Sequence, residues 1–171
     1  MRPEEMLARR LSSEIDAELQ GLENLGREFS QAPAGRDTFS LRARASILHD
    51  LYTGAERIFV RLAEELNGGV PRGEHWPRQL LDDMALDLPG IRPRVISPEL
   101  ATTLAQFLRF RHVFRNNYGY VLDAERLQPL EQVFDHVLAQ LAAEVRELCA
   151  WMLGQARPEG AGGSAADPPA E

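Results

Sequence analysis

The chain has 171 residues, 44% of them hydrophobic and 26% charged, which is typical of one globular domain with a sizeable buried core. All 19 basic residues are arginine. The absence of lysine excludes Schiff-base chemistry and a phosphate-loop lysine. The formal net charge of −7 argues against sequence-independent nucleic-acid binding over the whole surface.

Localisation is predicted from what the sequence lacks. It has no apolar run long enough to cross a bilayer, and its N-terminus goes directly into an acidic, amphipathic pattern unlike a signal peptide. The single Cys149 excludes an internal disulfide bond. We therefore expect a cytoplasmic protein without membrane association.

Apolar residues recur at spacings of three and four, which predicts an all-α, up-and-down bundle of four to five helices. In chain order the predicted helices cover about residues 3–29, 38–66, 76–86 and 98–117, followed by a last helix capped by Asp123. Ser97 is a good N-cap residue for the fourth helix, and Pro98 suits its first position. The near-heptad spacing of the last helix fits either the core or a partner helix, and the core is the commoner case.

The domain is predicted to cover residues 1–157. Residues 158–171 are rich in Gly, Ala, Pro and Ser without an apolar anchor, so we expect this tail to be disordered. We expect no metal site and no cofactor, because the four histidines lack the close spacing to Cys, His or carboxylates that zinc requires. These histidines are His49, His75, His112 and His136.

The unusual segment is residues 107–120, where three arginines, a histidine, two asparagines and two tyrosines crowd the end of one helix. Five arginines and a single acid lie between residues 88 and 120. This predicts either a local basic patch or a basic helix balanced by acidic neighbours. The arginines are Arg92, Arg94, Arg109, Arg111 and Arg115.

Helical periodicity separates two residues of this segment. Arg111, Phe114, Arg115 and Tyr118 share one helix face, whereas Asn116 lies about 140° from Arg111. The two can meet only where the helix frays or where a partner subunit contributes. The alternative is an arginine-rich surface helix with aromatic residues in the core.

The segment resembles the signature of HEPN domains, in the HepT-like form Arg-x4-His-x-Tyr. Arg111 matches the arginine, His112 the polar residue after it, and Tyr118 the tyrosine, while Asn116 stands at the histidine position. The resemblance continues in residues 48–58, 71–76, 95–100 and 122–123, and so covers about residues 40–135. The short motif alone is weak, since Arg44-x4-His49 fits its spacing by chance.

The resemblance implies the toxin component of a type VII-like toxin–antitoxin system, a metal-independent endoribonuclease acting on RNA, with tRNA as a candidate substrate. In that chemistry the motif histidine is a general acid/base, the arginine stabilises charge on the phosphate, and Arg109 and Arg115 are expected to contact RNA. The site is composite, built where two copies meet in a homodimer. A minimal nucleotidyltransferase antitoxin neutralises such toxins by transferring AMP to the motif tyrosine, here Tyr118.

Asn116 departs from the pattern, because an amide does not titrate near neutrality and cannot take a proton as imidazole does. Three interpretations follow. The domain has lost nuclease activity but binds RNA or a partner, or His112 takes over as the base, or the chain is a structural partner of a nucleotidyltransferase. The sequence leaves open whether the protein is an enzyme, and Arg111, Asn116 and His112 are the candidate catalytic residues.

Overall fold

The computed structural model describes residues 2–116 and 122–156. Within these ranges the chain forms five helices and no strand: α1 (Pro3–Gln31), α2 (Thr38–Leu66), α3 (Trp76–Met84), α4 (Pro98–Asn116) and α5 (Ala124–Gln155). The predicted all-α bundle is confirmed. The predicted disordered tail, residues 158–171, lies outside the described residues. None of the described helices is both long and apolar enough to span a membrane.

Helix α2 is the centre of the bundle, because it contacts all four other helices. Its apolar positions recur at helical spacing and are buried, as in Leu48, Leu51, Ile58 and Leu62. The apolar stripe of α5 is buried in the same core. Of the two predicted roles of this stripe, packing in the core or against a partner helix, the structure shows packing in the core.

The helix boundaries follow from local capping. Asp37 accepts hydrogen bonds from the backbone N–H groups of Phe39 and Ser40 at 3.1 and 3.0 Å, and Ser97 Oγ accepts from Leu100 N–H at 3.2 Å, as its predicted capping role requires. Helix α3 ends two residues earlier than predicted. The carbonyl of Met84 accepts from the backbone of residues 95 and 96 instead of continuing the helix.

Helices α1 and α2 approach closely at Gly54. A Cβ atom at this position would lie 2.4 Å from Leu22 Cδ2, so a side chain here would require the Leu22 side chain to shift. Gly54 therefore leaves room for the Leu22 side chain of α1 against α2.

Arg44 joins the turn between α1 and α2 to α5. Its Nε donates to Glu131 Oε1 at 2.6 Å, and its Nη1 donates to the carbonyls of Pro33 and Gly35, the latter at 3.0 Å. The Arg44 side chain is only 11% exposed. Its charge is therefore used within the fold.

Replacing Arg44 by methionine should lower the free energy of unfolding by about 3 kcal/mol, because Glu131 and the turn carbonyls lose a partly buried charged donor. Urea unfolding followed by circular dichroism measures this. Arg42→Met is the matched control, since Arg42 is exposed and its loss should change stability by no more than about 0.5 kcal/mol. Equal effects of the two substitutions would contradict the role given to Arg44.

Candidate functional site

Arg111 lies inside the interface between α4 and α2. Its Nη1 donates to Glu56 Oε2 at 2.9 Å, and the two side chains are only 14% and 10% exposed. The guanidinium carbon lies 5.9 Å from the centre of the Tyr52 ring, within the range of a cation–π interaction. Arg111 Nε is buried and has no acceptor among the described residues.

The sequence places these groups together through helical spacing. Tyr52 and Glu56 are four residues apart on α2 and so share a face, while Arg111 follows the buried Leu104 and Phe107 on α4. Arginine keeps its charge at every accessible pH, so Arg111 needs a carboxylate at this depth. Such a pair adds little net stability compared with apolar residues, but it fixes the position of the guanidinium.

Tyr52 is almost fully buried beside this pair. Burial is the main cause that raises the pKa of its hydroxyl well above the ordinary value, and the Glu56 carboxylate raises it further. Arg111 acts in the opposite direction. Tyr52 therefore packs against the Arg111 guanidinium as a neutral ring.

His112 and Asn116 lie on the exposed side of α4. Asn116 Nδ2 donates to the His112 carbonyl at 2.9 Å and lies 3.3 Å from His112 Nδ1. Arg111 instead turns inward to Glu56. Within one chain, the described contacts therefore join His112 to Asn116 and leave Arg111 apart from both. Tyr118 lies outside the described residues.

The arginines of the predicted patch differ in burial and in hydrogen-bond partners. Arg92 is 2% exposed and donates to Asn67 Oδ1 at 2.8 Å and to backbone carbonyls including that of Leu86 at 3.1 Å, so it is a structural residue of the α3–α4 loop. Its pKa is lowered, chiefly by burial. Arg109 and Arg115 are exposed, and neither forms an ion pair with another described residue.

The aromatic residues of α4 bring a histidine of α2 to this interface. Phe107 is fully buried, whereas Phe110 and Phe114 are partly buried with ring centres 5.7 Å apart. The Phe114 ring centre lies 5.5 Å from that of His49. His49 Nδ1 lies 3.0 Å from Asp50 Oδ1. His49 is therefore next to the motif in space although it is distant in sequence.

The family model for HepT-like proteins matches residues 43–152, well over half of the chain. The chain belongs to the HepT-like family. Neither the curated proteins nor the solved structures give a match.

The family match covers almost all of α2 and the whole of α4, so both sides of the Arg111 environment belong to the HepT-like domain. The described residues contain no cluster of three or more side chains able to hold a metal ion. Two clefts of about 550 and 600 Å³ lie elsewhere, around Trp151 and the loop before α4.

Sequence reasoning singled out Arg111 but missed Tyr52, Glu56 and His49 as parts of its surroundings. A signal for Glu56 was present: it is a carboxylate on the buried face of α2, next to Ala55 and one turn before Phe59. A buried acid requires a partner, and arginine is the usual one. Nothing in the sequence identified Arg111 as that partner.

The stability of this HepT-like protein should fall as pH rises above about 10, where tyrosine ionises in the unfolded chain. The raised pKa keeps Tyr52 protonated in the folded state, so the unfolded state binds fewer protons and gains relative stability with pH. Tyr52→Phe should remove part of this loss. Urea midpoints between pH 8 and about 11 measure it.

Tyr52→Phe is best compared with wild-type Tyr52 in a Cys149→Ala background. Burial also raises the pKa of the Cys149 thiol, so this thiol causes a separate loss of stability at lower pH than tyrosine does. Identical pH dependence with and without the Tyr52 hydroxyl would show that this hydroxyl is not held neutral by the fold.

Proposed function

We propose that this HepT-like protein is the toxin component of a type VII-like toxin–antitoxin system and cleaves RNA, with tRNA as the candidate substrate, without a metal ion. The observation that carries the proposal is the Arg111 guanidinium, held in place by Glu56 and the Tyr52 ring. Such a fixed donor suits the charge that develops on a phosphate during cleavage. On the same helix, Arg109 and Arg115 are exposed and form no ion pair with another described residue.

In the proposed reaction a base removes the proton of the ribose 2′-hydroxyl, and the 2′-oxygen forms a bond to phosphorus. The bond from phosphorus to the 5′-oxygen breaks, and that oxygen takes up a proton. Arg111 stabilises the negative charge on the phosphate oxygens. Arg109 and Arg115, which are exposed on α4, bind neighbouring phosphates of the RNA.

A homodimer is part of the proposal. Arg111 faces α2, whereas His112 and Asn116 face outward, so a second copy is needed to bring the outward pair of one chain to the arginine of the other. The partly buried Phe110 and Phe114 offer apolar surface for that contact.

The alternative function is a catalytically inactive HEPN module that binds RNA or a nucleotidyltransferase partner. Asn116 favours it, because its amide is engaged with His112 and supplies no proton transfer. In this case the exposed arginines would bind without chemistry.

Purified protein should cleave total tRNA in the presence of EDTA. Asn116→His should increase the rate by about 10²–10⁴-fold if no other group serves as the base, and by much less if another histidine already does, because imidazole titrates near neutrality. Removing Arg111 should abolish cleavage. Arg111→Ala leaves Glu56 buried without a partner, so the double variant Glu56→Met/Arg111→Met is measured beside it to preserve the fold. Cleavage products resolved on denaturing gels give the rates.

His112→Ala is the discriminating variant of this series, since a large loss would identify His112 as the base. Light scattering on the same samples should give the mass of a dimer, and a clean monomer at micromolar concentration would contradict the composite site. Cleavage that survives both Arg111 variants would exclude the catalytic role of Arg111. A folded, dimeric protein without activity in any variant would favour the binding module.

A minimal nucleotidyltransferase should co-purify with this protein and, with ATP and magnesium, transfer AMP to Tyr118. Intact-mass analysis should show a gain of one AMP group that is lost in Tyr118→Phe. Tyr120→Phe is the matched control and should keep the adduct. An unmodified chain that also fails to co-purify would separate it from the toxin–antitoxin class.

A further inference from the structure

His49 lies on the same face of α2 as the two residues that hold Arg111. It precedes Tyr52 by three residues and Glu56 by seven, and positions i, i+3 and i+7 of a helix point to one side. Its side chain is 23% exposed. Its ring contacts Phe114, which follows Arg111 by one turn on α4. His49 and Arg111 therefore border the same α2–α4 interface.

The hydrogen bond to Asp50 fixes the form of the neutral imidazole. Asp50 Oδ1 lies 3.0 Å from His49 Nδ1, and an ionised carboxylate can only accept. Nδ1 therefore carries the proton, and Nε2 keeps a free electron pair. An imidazole oriented by a carboxylate in this way is the arrangement that general bases use.

The other three histidines lack this combination. His112 Nδ1 faces the side-chain nitrogen of Asn116 on the exposed side of α4. His75 and His136 are exposed, at the start of α3 and on α5, and no described contact ties either to α4. His49 is the one histidine that a described contact joins to α4 from another helix.

We infer that His49 is the acid/base group of the phosphate site beside Arg111, in place of the histidine that Asn116 replaces. This inference rests on the proposed ribonuclease function. His49 Nε2 takes the proton of the 2′-hydroxyl while the 2′-oxygen bonds to phosphorus and the bond to the 5′-oxygen breaks. The 5′-oxygen takes a proton from solvent, and His49 then releases its own proton to solvent.

The charged groups around His49 fit this use. Asp50 is its neighbour on α2, and Glu56, two turns further along α2, forms an ion pair with Arg111. Arg78 and Asp82 of α3, whose charges act on Tyr52, form their own ion pair. A phosphate bound at Arg111 would add a negative charge that stabilises the imidazolium formed in the reaction.

The test compares cleavage of tRNA in EDTA by wild type, His49→Gln and His136→Gln. Glutamine keeps polar packing but does not titrate, so His49→Gln should lose about 10²–10⁴-fold and lose the acid limb of the pH–rate profile. His136→Gln should match wild type. Added imidazole should restore cleavage to His49→Ala but not to Glu56→Met/Arg111→Met, a difference that a purely structural role for His49 would not produce.

A second readout does not depend on cleavage. Inorganic phosphate should move the imidazole proton resonances of His49, but not those of His136, and the shift should vanish in Glu56→Met/Arg111→Met. Cleavage that needs Arg111 but is unchanged in His49→Gln would overturn the inference and leave the ribonuclease standing. If wild type does not cleave, the ribonuclease proposal fails. An Arg111-dependent shift would then support the shared phosphate site, and an unmoved resonance would overturn it.

Discussion

The ion pair between Arg111 and Glu56 fixes a positive charge inside the α2–α4 interface. A guanidinium that is 14% exposed cannot remain without a carboxylate partner, and Glu56 is the acid that α2 presents at that level. The pair fixes Arg111 against the Tyr52 ring and so limits where its remaining N–H groups can point. Because apolar residues would fill this space about as well, the value of the pair lies in positioning a charge rather than in stability.

The all-arginine composition is used for two purposes. Arg44 and Arg92 serve the fold, since each brings several backbone carbonyls of a turn or loop to one planar donor. Lysine could not replace either, because it lacks the fork of donors that arginine provides. Arg109 and Arg115 remain exposed and without ion pairs to other described residues. The exposed positive charge of α4 is therefore smaller and more local than a count of arginines indicates.

The helices could be predicted from sequence because their apolar spacing and capping residues are local signals, and α2 was bounded correctly at both ends. The end of α3 was predicted two residues too late, because the backbone N–H groups of residues 95 and 96 donate to the carbonyl of Met84. The site was harder to predict, since spacing shows which face of α4 carries Arg111 but not which helix it meets. Glu56 and His49 lie more than fifty residues from Arg111 in sequence. Only the packing of α2 against α4 places them next to the motif.

The substitution at Asn116 has a different meaning once α2 is taken into account. If the motif helix were the only source of a titrating group, an amide there would leave His112, which the described contacts engage with Asn116 itself. The adjoining helix supplies an imidazole with a carboxylate on one nitrogen and an aromatic residue of α4 beside its ring. In the proposed site, proton transfer and phosphate binding reside on different helices, and the packing of α2 against α4 holds the two together. In that proposal Asn116 at the motif position is compatible with catalysis, because α2 rather than α4 provides the base.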